Sequence, residues 1–570
     1  MAVLLIRLGF PPFDLAPAVV VGWMIFLDYI NSPQRSVKNI LFTSWLCGFL
    51  WNLSMTFYTA YPHWATSFGW VALSAYLGFY WLLWAWVCRC GLKLKLPLWF
   101  IAPTAWTGLE LVQGHFISGF LLNQQAIALY KTPVFVQCAE FTGCYGVSFI
   151  VLFLSALAYE FWRSRRVAYL TVFLLSFAII FAGGHLKENQ IEKLANTIAA
   201  QDEVPDFALL TGEKPDLINI ALIQGNVECK VEADFDLIEK TFEQYNRLTS
   251  EALDGIPRPD LVVWPEGMFR YPQYEIGTPK PVPTEDYKDK PEQYIIEVKK
   301  RINALNAQLP TWVKMYDVDL ITGIDRCILS GDDVLRYNSA VNVSRDGAIQ
   351  STYDKNHLVL FGEYIPFADK IPLLKQITPI GSGTQAGSGA PLFSVTPCRQ
   401  VNSGVQQTSK WFFLPSICYE NTLPHVIREQ FLHTSAPVDA LVNISNDSWF
   451  KGGFENELRM AQAVFRSVEF RIDNVIASNG GISAHISPGG RIITSGRTEN
   501  SFNLFSSHIE QRFLQVQLRK NVLGKGNTFY AQYGDCFSGL CLLISVILGC
   551  YPLLRSAKSL QAAGKDGKNR

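Results

Sequence analysis

The chain carries two kinds of hydrophobic pattern. In its first third and again near its end, apolar residues run on with no polar face. Between them, apolar and polar positions recur with the periods of strands and helices. Unbroken apolar runs occupy Ala16–Ile30, Ile40–Tyr61, Phe68–Cys88, Leu98–Leu122, Val134–Trp162 and Val167–Ala182, and one more lies at Cys536–Leu554. A bilayer core takes about 20 apolar residues per helix, so the pattern predicts six spans at the front and one at the back. Met1–Phe10 is too short to cross alone and reads as the last half of a further helix.

The polar middle reads as an α/β domain. Short β-branched or apolar runs predict strands at Ile218–Gln224, Leu261–Trp264, Asp319–Thr322, Ser339–Val343, Trp411–Ile417, Ala440–Ser445, Val475–Ser478 and Ile482–Ile486. Helical periodicity appears between several of them, at Phe235–Leu253, Pro291–Leu305 and Glu455–Phe470. Strands alternating with helices predict sheets layered under helices. The stretch Gly277–Pro291, with its prolines and mixed charges, predicts a loop.

Charge sets the orientation. Arg35 and Lys38, then Arg89, Lys93 and Lys95, then Arg163, Arg165 and Arg166 fall in alternate connections, and the tail adds Arg555, Lys558, Lys565, Lys568 and Arg570. Basic loops stay in the cytoplasm, so the polar middle is expected on the opposite side and the C-terminus inside. The expected division is a multi-span domain at 1–186, an extracytoplasmic catalytic domain at 187–525, and a C-terminal helix with a basic tail at 526–570. Composition agrees: 49% hydrophobic residues over 570 positions is too apolar for an ordinary soluble protein and too polar for a pure transporter. With 49 basic and 49 acidic residues there is no basic excess to favour nucleic acid. The 12 cysteines follow no paired spacing, which argues against a disulfide framework or a metal site.

Three segments of the middle domain end on reactive side chains. Leu261 to Trp264 runs into Pro265-Glu266-Gly267, and Trp411 to Ile417 runs into Cys418-Tyr419-Glu420, so a carboxylate and a thiol emerge at strand ends. The residues from Asn421 to Phe431 can open a helix, whose N-terminus would favour the thiolate of Cys418. Tyr353-Asp354-Lys355-Asn356-His357, followed by Phe361-Gly362-Glu363-Tyr364, supplies an amine and a second carboxylate in an apolar setting. A carboxylate that takes the thiol proton, an ammonium that steadies an oxyanion and a sulfur that forms a thioester together make an acyl-transfer set. Singly, each has a plainer reading as a turn, a solvated charge or a core residue.

In this order and these local sequences, the set resembles the nitrilase superfamily, and with spans on both flanks it resembles the membrane-embedded branch of apolipoprotein N-acyltransferases. The resemblance rests on Pro11 to Pro17, Ile223-Gln224-Gly225-Asn226, Trp264-Pro265-Glu266, Thr322-Gly323, Tyr337-Asn338, Lys355 to Val359, Phe361 to Tyr364, Ile417 to Glu420, Ser445 to Phe450 and Asn479 to Ser483. It implies a polytopic α-helical membrane domain joined to an αββα sandwich. Glu266 would be general base, Lys355 oxyanion stabiliser and Cys418 nucleophile, with Glu363, Tyr419 and Glu420 in support. It further implies a phosphatidylethanolamine-like acyl donor, an apolipoprotein acceptor, a monomer in the bacterial inner membrane, and neither cofactor nor metal. The chain departs from that pattern after Trp449-Phe450, where many relatives carry a Pro and a His absent from Lys451 to Met460. The stretch 365–389, apolar with interspersed lysines, reads either as a lid dipping among lipid headgroups or as a packed loop. Two other functions stay open. A membrane-anchored amide hydrolase would use the same three residues with water, and a transporter or scaffold would put Glu110 and Glu140 to work inside the membrane.

Overall fold

The computed structural model describes residues 1–203, 217–229, 235–366, 370, 383–401, 404–407, 409–451, 453–496, 511–520 and 528–566. They fall into two compact units, Met1–Asn189 with Gln532–Arg570, and Gln190–Ala531. Most of the stretch read as a lid or loop at 365–389 lies outside the described residues.

In the first unit every predicted run contains a helix: Ala16–Ile30, Val37–Met55, Thr66–Lys93, Leu98–His115, Ala139–Ser164, Val167–Glu203 and Cys536–Asp566, preceded by a short one at Ala2–Leu8. Among the described residues, three segments are long and apolar enough to cross a bilayer, namely Thr66–Lys93, Ala139–Ser164 and Val167–Ile191, while Ala16–Ile30 and Cys536–Tyr551 are apolar but shorter. The unit is a polytopic helical membrane domain. Trp23, its ring 4.9 to 5.2 Å from those of Trp81, Trp84 and Trp106, is the hub of its aromatic core.

The predicted run Leu98–Leu122 is not one helix. The helix stops at His115, because Phe116 is extended and Ile117, Ser118 and Gly119 take φ of 49°, 65° and 72°. The turn brings Gln124 and Gln125 back onto Glu110. That carboxylate accepts hydrogen bonds from the Trp106 indole at 2.7 Å, the Gln124 amide at 3.2 Å and the Gln125 backbone N–H at 3.0 Å. A polar group away from water must be bonded in this way, and the bend makes it possible. Glu140 meets Lys187 at 2.9 Å.

The second unit is a sandwich. One sheet has the order Arg512–Arg519, Leu217–Gln224, Leu261–Val263, Asp319–Ser330, Asp333–Val343, Ile349–Asp354, with Gln273–Ile276 pairing beside Asp319–Ser330. The other has the order Ile492–Ser495, Ala484–Ile486, Asp473–Asn479, Ala440–Asn446, Trp411–Ile417, Phe393–Val395. Central strands of each sheet are parallel. Ile220, Leu222, Val263 and Ile321 of the first sheet pack with Phe413, Ile417, Val442 and Val475 of the second in one buried core. The opposite face of the first sheet is covered by Tyr245 and Leu248 of the helix Phe235–Leu253 and by Trp312 and Val313 of Gln308–Tyr316. Ile427 of the helix Pro424–Leu432 packs on the second sheet with Leu414 and Leu441. Helix, sheet, sheet, helix is the αββα order expected. The parallel strands all end on one edge, and the reactive residues emerge there.

Candidate active site

Glu266 follows the buried strand Leu261–Val263, which the Trp264 N–H extends by bonding the Ile321 carbonyl at 2.8 Å. The turn Pro265-Glu266-Gly267 then lies against Gly323, where no side chain fits: a Cβ there would stand 2.4 Å from the Gly267 nitrogen and 2.6 Å from the Glu266 Cα. One Glu266 oxygen accepts from the Asn338 amide at 2.6 Å and the other from the Asn446 backbone N–H at 2.9 Å.

Lys355 is the first residue past the strand Ile349–Asp354 and keeps the ladder going by donating its N–H to the Asn338 carbonyl at 2.9 Å. Its side chain is 1% exposed, 2.9 Å from Glu363 and 3.7 Å from Glu266. Glu363 also accepts from the Asn338 amide and the Val359 N–H, each at 2.9 Å. Asn338 therefore bridges the two carboxylates while Lys355 offsets part of their charge. Burial alone would lower the Lys355 pKa, but the carboxylates of Glu363 and Glu266 outweigh it and hold the ammonium charged. Burial raises the Glu266 carboxyl above its ordinary range; Lys355 opposes this and Glu363 reinforces it. At Glu363 burial pushes the same way, yet Lys355 and the Val359 N–H win and hold it below the usual carboxylate value.

Cys418 ends the strand Trp411–Ile417 with φ of 54°, a left-handed conformation costly for a residue with a side chain and common where a reactive atom must be aimed. The turn Cys418–Thr422 that follows is a 3-10 helix, and the next α-helix begins only at Pro424. The helix expected from Asn421 to Phe431 forms at Pro424–Leu432, but it does not bring the expected lowering of the thiol pKa. Burial and then the neighbouring Glu266 push it up to about 11, against the pull of Arg459 and Lys355. The resting sulfur is a thiol, and a base must take its proton as it attacks.

Glu420, fully buried, fixes the sulfur strand to the lysine loop. One oxygen accepts from the Tyr353 hydroxyl at 2.7 Å and from the N–H groups of Asn356 and His357 at 2.8 and 2.9 Å, and the other accepts from the Ile417 N–H at 2.8 Å. Tyr419 places its ring 6.4 Å from that of His357. Glu266, Lys355, Glu363, Cys418, Tyr419 and Glu420 thus all belong to this edge of the sandwich. Sequence reasoning missed Arg459, on the helix Glu455–Phe470, whose guanidinium stands 3.5 Å from the Cys418 sulfur. It also gave no part to Asn338 and Asn446, although both lie in motifs that it quoted. The arrangement can take a proton from a thiol, hold a negative oxygen beside an ammonium, and keep both acts in a largely desolvated site.

Both parts of the chain are similar to known proteins. The family model described as carbon-nitrogen hydrolase matches residues 219–512, and the one described as apolipoprotein N-acyltransferase N-terminal domain matches residues 2–157. A protein of Geobacter metallireducens named apolipoprotein N-acyltransferase is 27% identical over 582 residues, covering 98% of this chain and 95% of its own. One of the same name from Rhodopirellula baltica is 27% identical over 524 residues, with 85% and 86% covered. Among solved structures, a carbon-nitrogen hydrolase from Helicobacter pylori covers 56% of this chain and 94% of its own at 14% identity and a TM-score of 0.33.

Proposed function

Because the chain belongs to the carbon-nitrogen hydrolase family, we propose that it is an apolipoprotein N-acyltransferase, moving a fatty acyl chain from a membrane phospholipid through a thioester to the free α-amino group of an N-terminal diacylglyceryl-cysteine. The observation that carries this reading over amide hydrolysis is the match of residues 2–157, ahead of the hydrolase domain, to the N-terminal domain of apolipoprotein N-acyltransferases. Both substrates of such a reaction are lipids, which is a physical reason to tether the catalyst through apolar helices on either side of it.

In the first half-reaction Glu266 takes the Cys418 proton, the sulfur attacks the ester carbonyl, and the negative oxygen forms beside Lys355. The C–O bond then breaks, and the alkoxide leaves as lysophospholipid carrying the proton from Glu266. In the second half the acceptor amine attacks the thioester, Glu266 takes its proton, and the C–S bond breaks to free the sulfur. Glu363 steadies Lys355, and Glu420, with Tyr419 beside it, keeps the lysine loop and the sulfur strand in register. The donor is a phosphatidylethanolamine-like phospholipid and the enzyme acts as a monomer without cofactor or metal. The alternate basic clusters, from Arg35 to the C-terminal tail, support a catalytic domain at 187–525 on the periplasmic side of the inner membrane and a cytoplasmic C-terminus.

The test is product formation by purified enzyme with phospholipid, with and without a diacylglyceryl-cysteinyl peptide. Sustained lysophospholipid release only when the peptide is present supports transfer. Equal release with water alone assigns the site to hydrolysis.

A further inference from the structure

Arg459 has no part in the steps above, yet it touches the reacting sulfur. Its side chain is 10% exposed, and one guanidinium nitrogen lies 3.5 Å from the Cys418 sulfur. The same nitrogen pairs with Asp447 at 3.3 Å, and the other two are tied down as well: one donates to the Ser445 hydroxyl at 2.7 Å and the third pairs with Glu455 at 3.5 Å. Asp447 is itself held by the Ser445 and Ser478 hydroxyls at 2.7 and 2.6 Å. A buried arginine held at all three nitrogens is fixed in place, and one of those nitrogens is shared between Asp447 and the nucleophile. A small cavity whose lining includes Cys418, Ser445, Asp447 and Arg459 on one hand and Met460 and Ile476 on the other lies at this contact.

We propose that Arg459 is a further catalytic residue, the hydrogen-bond donor that stabilises the Cys418 thiolate each time the reaction makes one. The proposal rests on the acyl-transfer reading and deepens it. The sulfur carries negative charge twice: when Glu266 takes the thiol proton ahead of attack on the ester, and when the amine displaces it from the thioester. In both steps the proton goes to Glu266 and the electron pair stays on sulfur, so a fixed cation at sulfur favours both without entering the proton balance. Lys355 serves the carbonyl oxygen, and the two cations divide the work. The charged groups that act on the sulfur are Glu266 and Asp447, which disfavour the thiolate, and Lys355 and Arg459, which favour it. Glu455, its carboxyl pushed up to about 8 by burial, sits behind the guanidinium. Removing Arg459 therefore leaves the sulfur facing mostly negative charge.

The experiment is the pH–rate profile of Cys418 alkylation by iodoacetamide in detergent-solubilised full-length enzyme, read from the mass of the peptide that contains it. Wild type is compared with Arg459→Gln and with the double variant Arg459→Gln/Glu455→Gln, which removes the buried carboxylate along with its partner and decides the matter if the single variant fails to fold. The expected result is a profile displaced to higher pH and a rate at neutral pH at least about tenfold below wild type. A folded variant, single or double, with the wild-type profile overturns the proposal. Alkylation needs no lipid, so this outcome is distinct from failure of the acyl-transfer reading, which would appear as a wild-type enzyme that forms no acyl adduct from phospholipid.

Discussion

Gly323→Ala removes no reacting group, yet it strikes at the placement of the base. The added Cβ would lie 2.4 Å from the Gly267 nitrogen, 2.6 Å from the Glu266 Cα and 2.8 Å from the Glu266 carbonyl carbon. All three are backbone atoms, so no side chain can swing away. Ordinary contact begins at 3.4 Å, and the two backbones must part by about 1 Å. Overpacking of this kind costs about 1–3 kcal/mol of stability, which a protein of this size survives. A 1 Å displacement of a base from its proton costs about 100-fold in rate. Acyl-enzyme formation, followed by intact mass against time, is expected to slow by about that factor, with the melting temperature only modestly lower. Gly267→Ala is the control: no atom lies within 4 Å of its Cβ position, and its φ of 65° costs only about 1–2 kcal/mol. Gly323→Ala acylating within about threefold of wild type would refute the claim that this contact sets the position of Glu266.

Other consequences follow from the same contacts. Glu363→Gln removes a negative neighbour that holds the Glu266 carboxyl up, so the acid limb of the pH–rate profile of acylation should move to lower pH; movement to higher pH would contradict the charge arrangement. Glu420→Gln sets one amide N–H against a backbone or hydroxyl donor and loses charge-assisted bonds, a cost of about 2 kcal/mol or more, measured as a lower thermal midpoint. Arg466 and Glu469 form a fully buried pair at 2.6 and 2.7 Å. Arg466→Met alone should cost about 3–5 kcal/mol and Arg466→Met/Glu469→Leu much less, in thermal or denaturant unfolding; equal losses would show that the uncompensated charge is not the cause.

Much of this was legible in the sequence because the signals are local. Strand Trp411–Ile417 and helices Phe235–Leu253 and Glu455–Phe470 have the bounds that periodicity predicts. Apolar continuity marked every long helix of the membrane domain, although it ran Leu98–Leu122 past His115, where the demand of Glu110 for hydrogen bonds, a tertiary matter, bends the chain. The edge strand Arg512–Arg519 went unread. Its alternating burial is present in the sequence, but its pairing with Leu217–Gln224 spans nearly three hundred residues. Glu266, Lys355 and Cys418 stood out because each ends a strand. Arg459 did not, since with Glu455 four residues earlier it looks like any surface helix pair. Only the fold brings it together with Asp447 and Cys418.

The most direct test of the whole account is the intact mass of the enzyme after incubation with phospholipid alone, wild type beside Cys418→Ala. Wild type should gain the mass of one fatty acyl group, labile to hydroxylamine as a thioester is, and the alanine variant should gain nothing. An adduct that persists without the sulfur, or a folded wild-type enzyme that never acquires one, would contradict the claim that residue 418 carries the acyl chain.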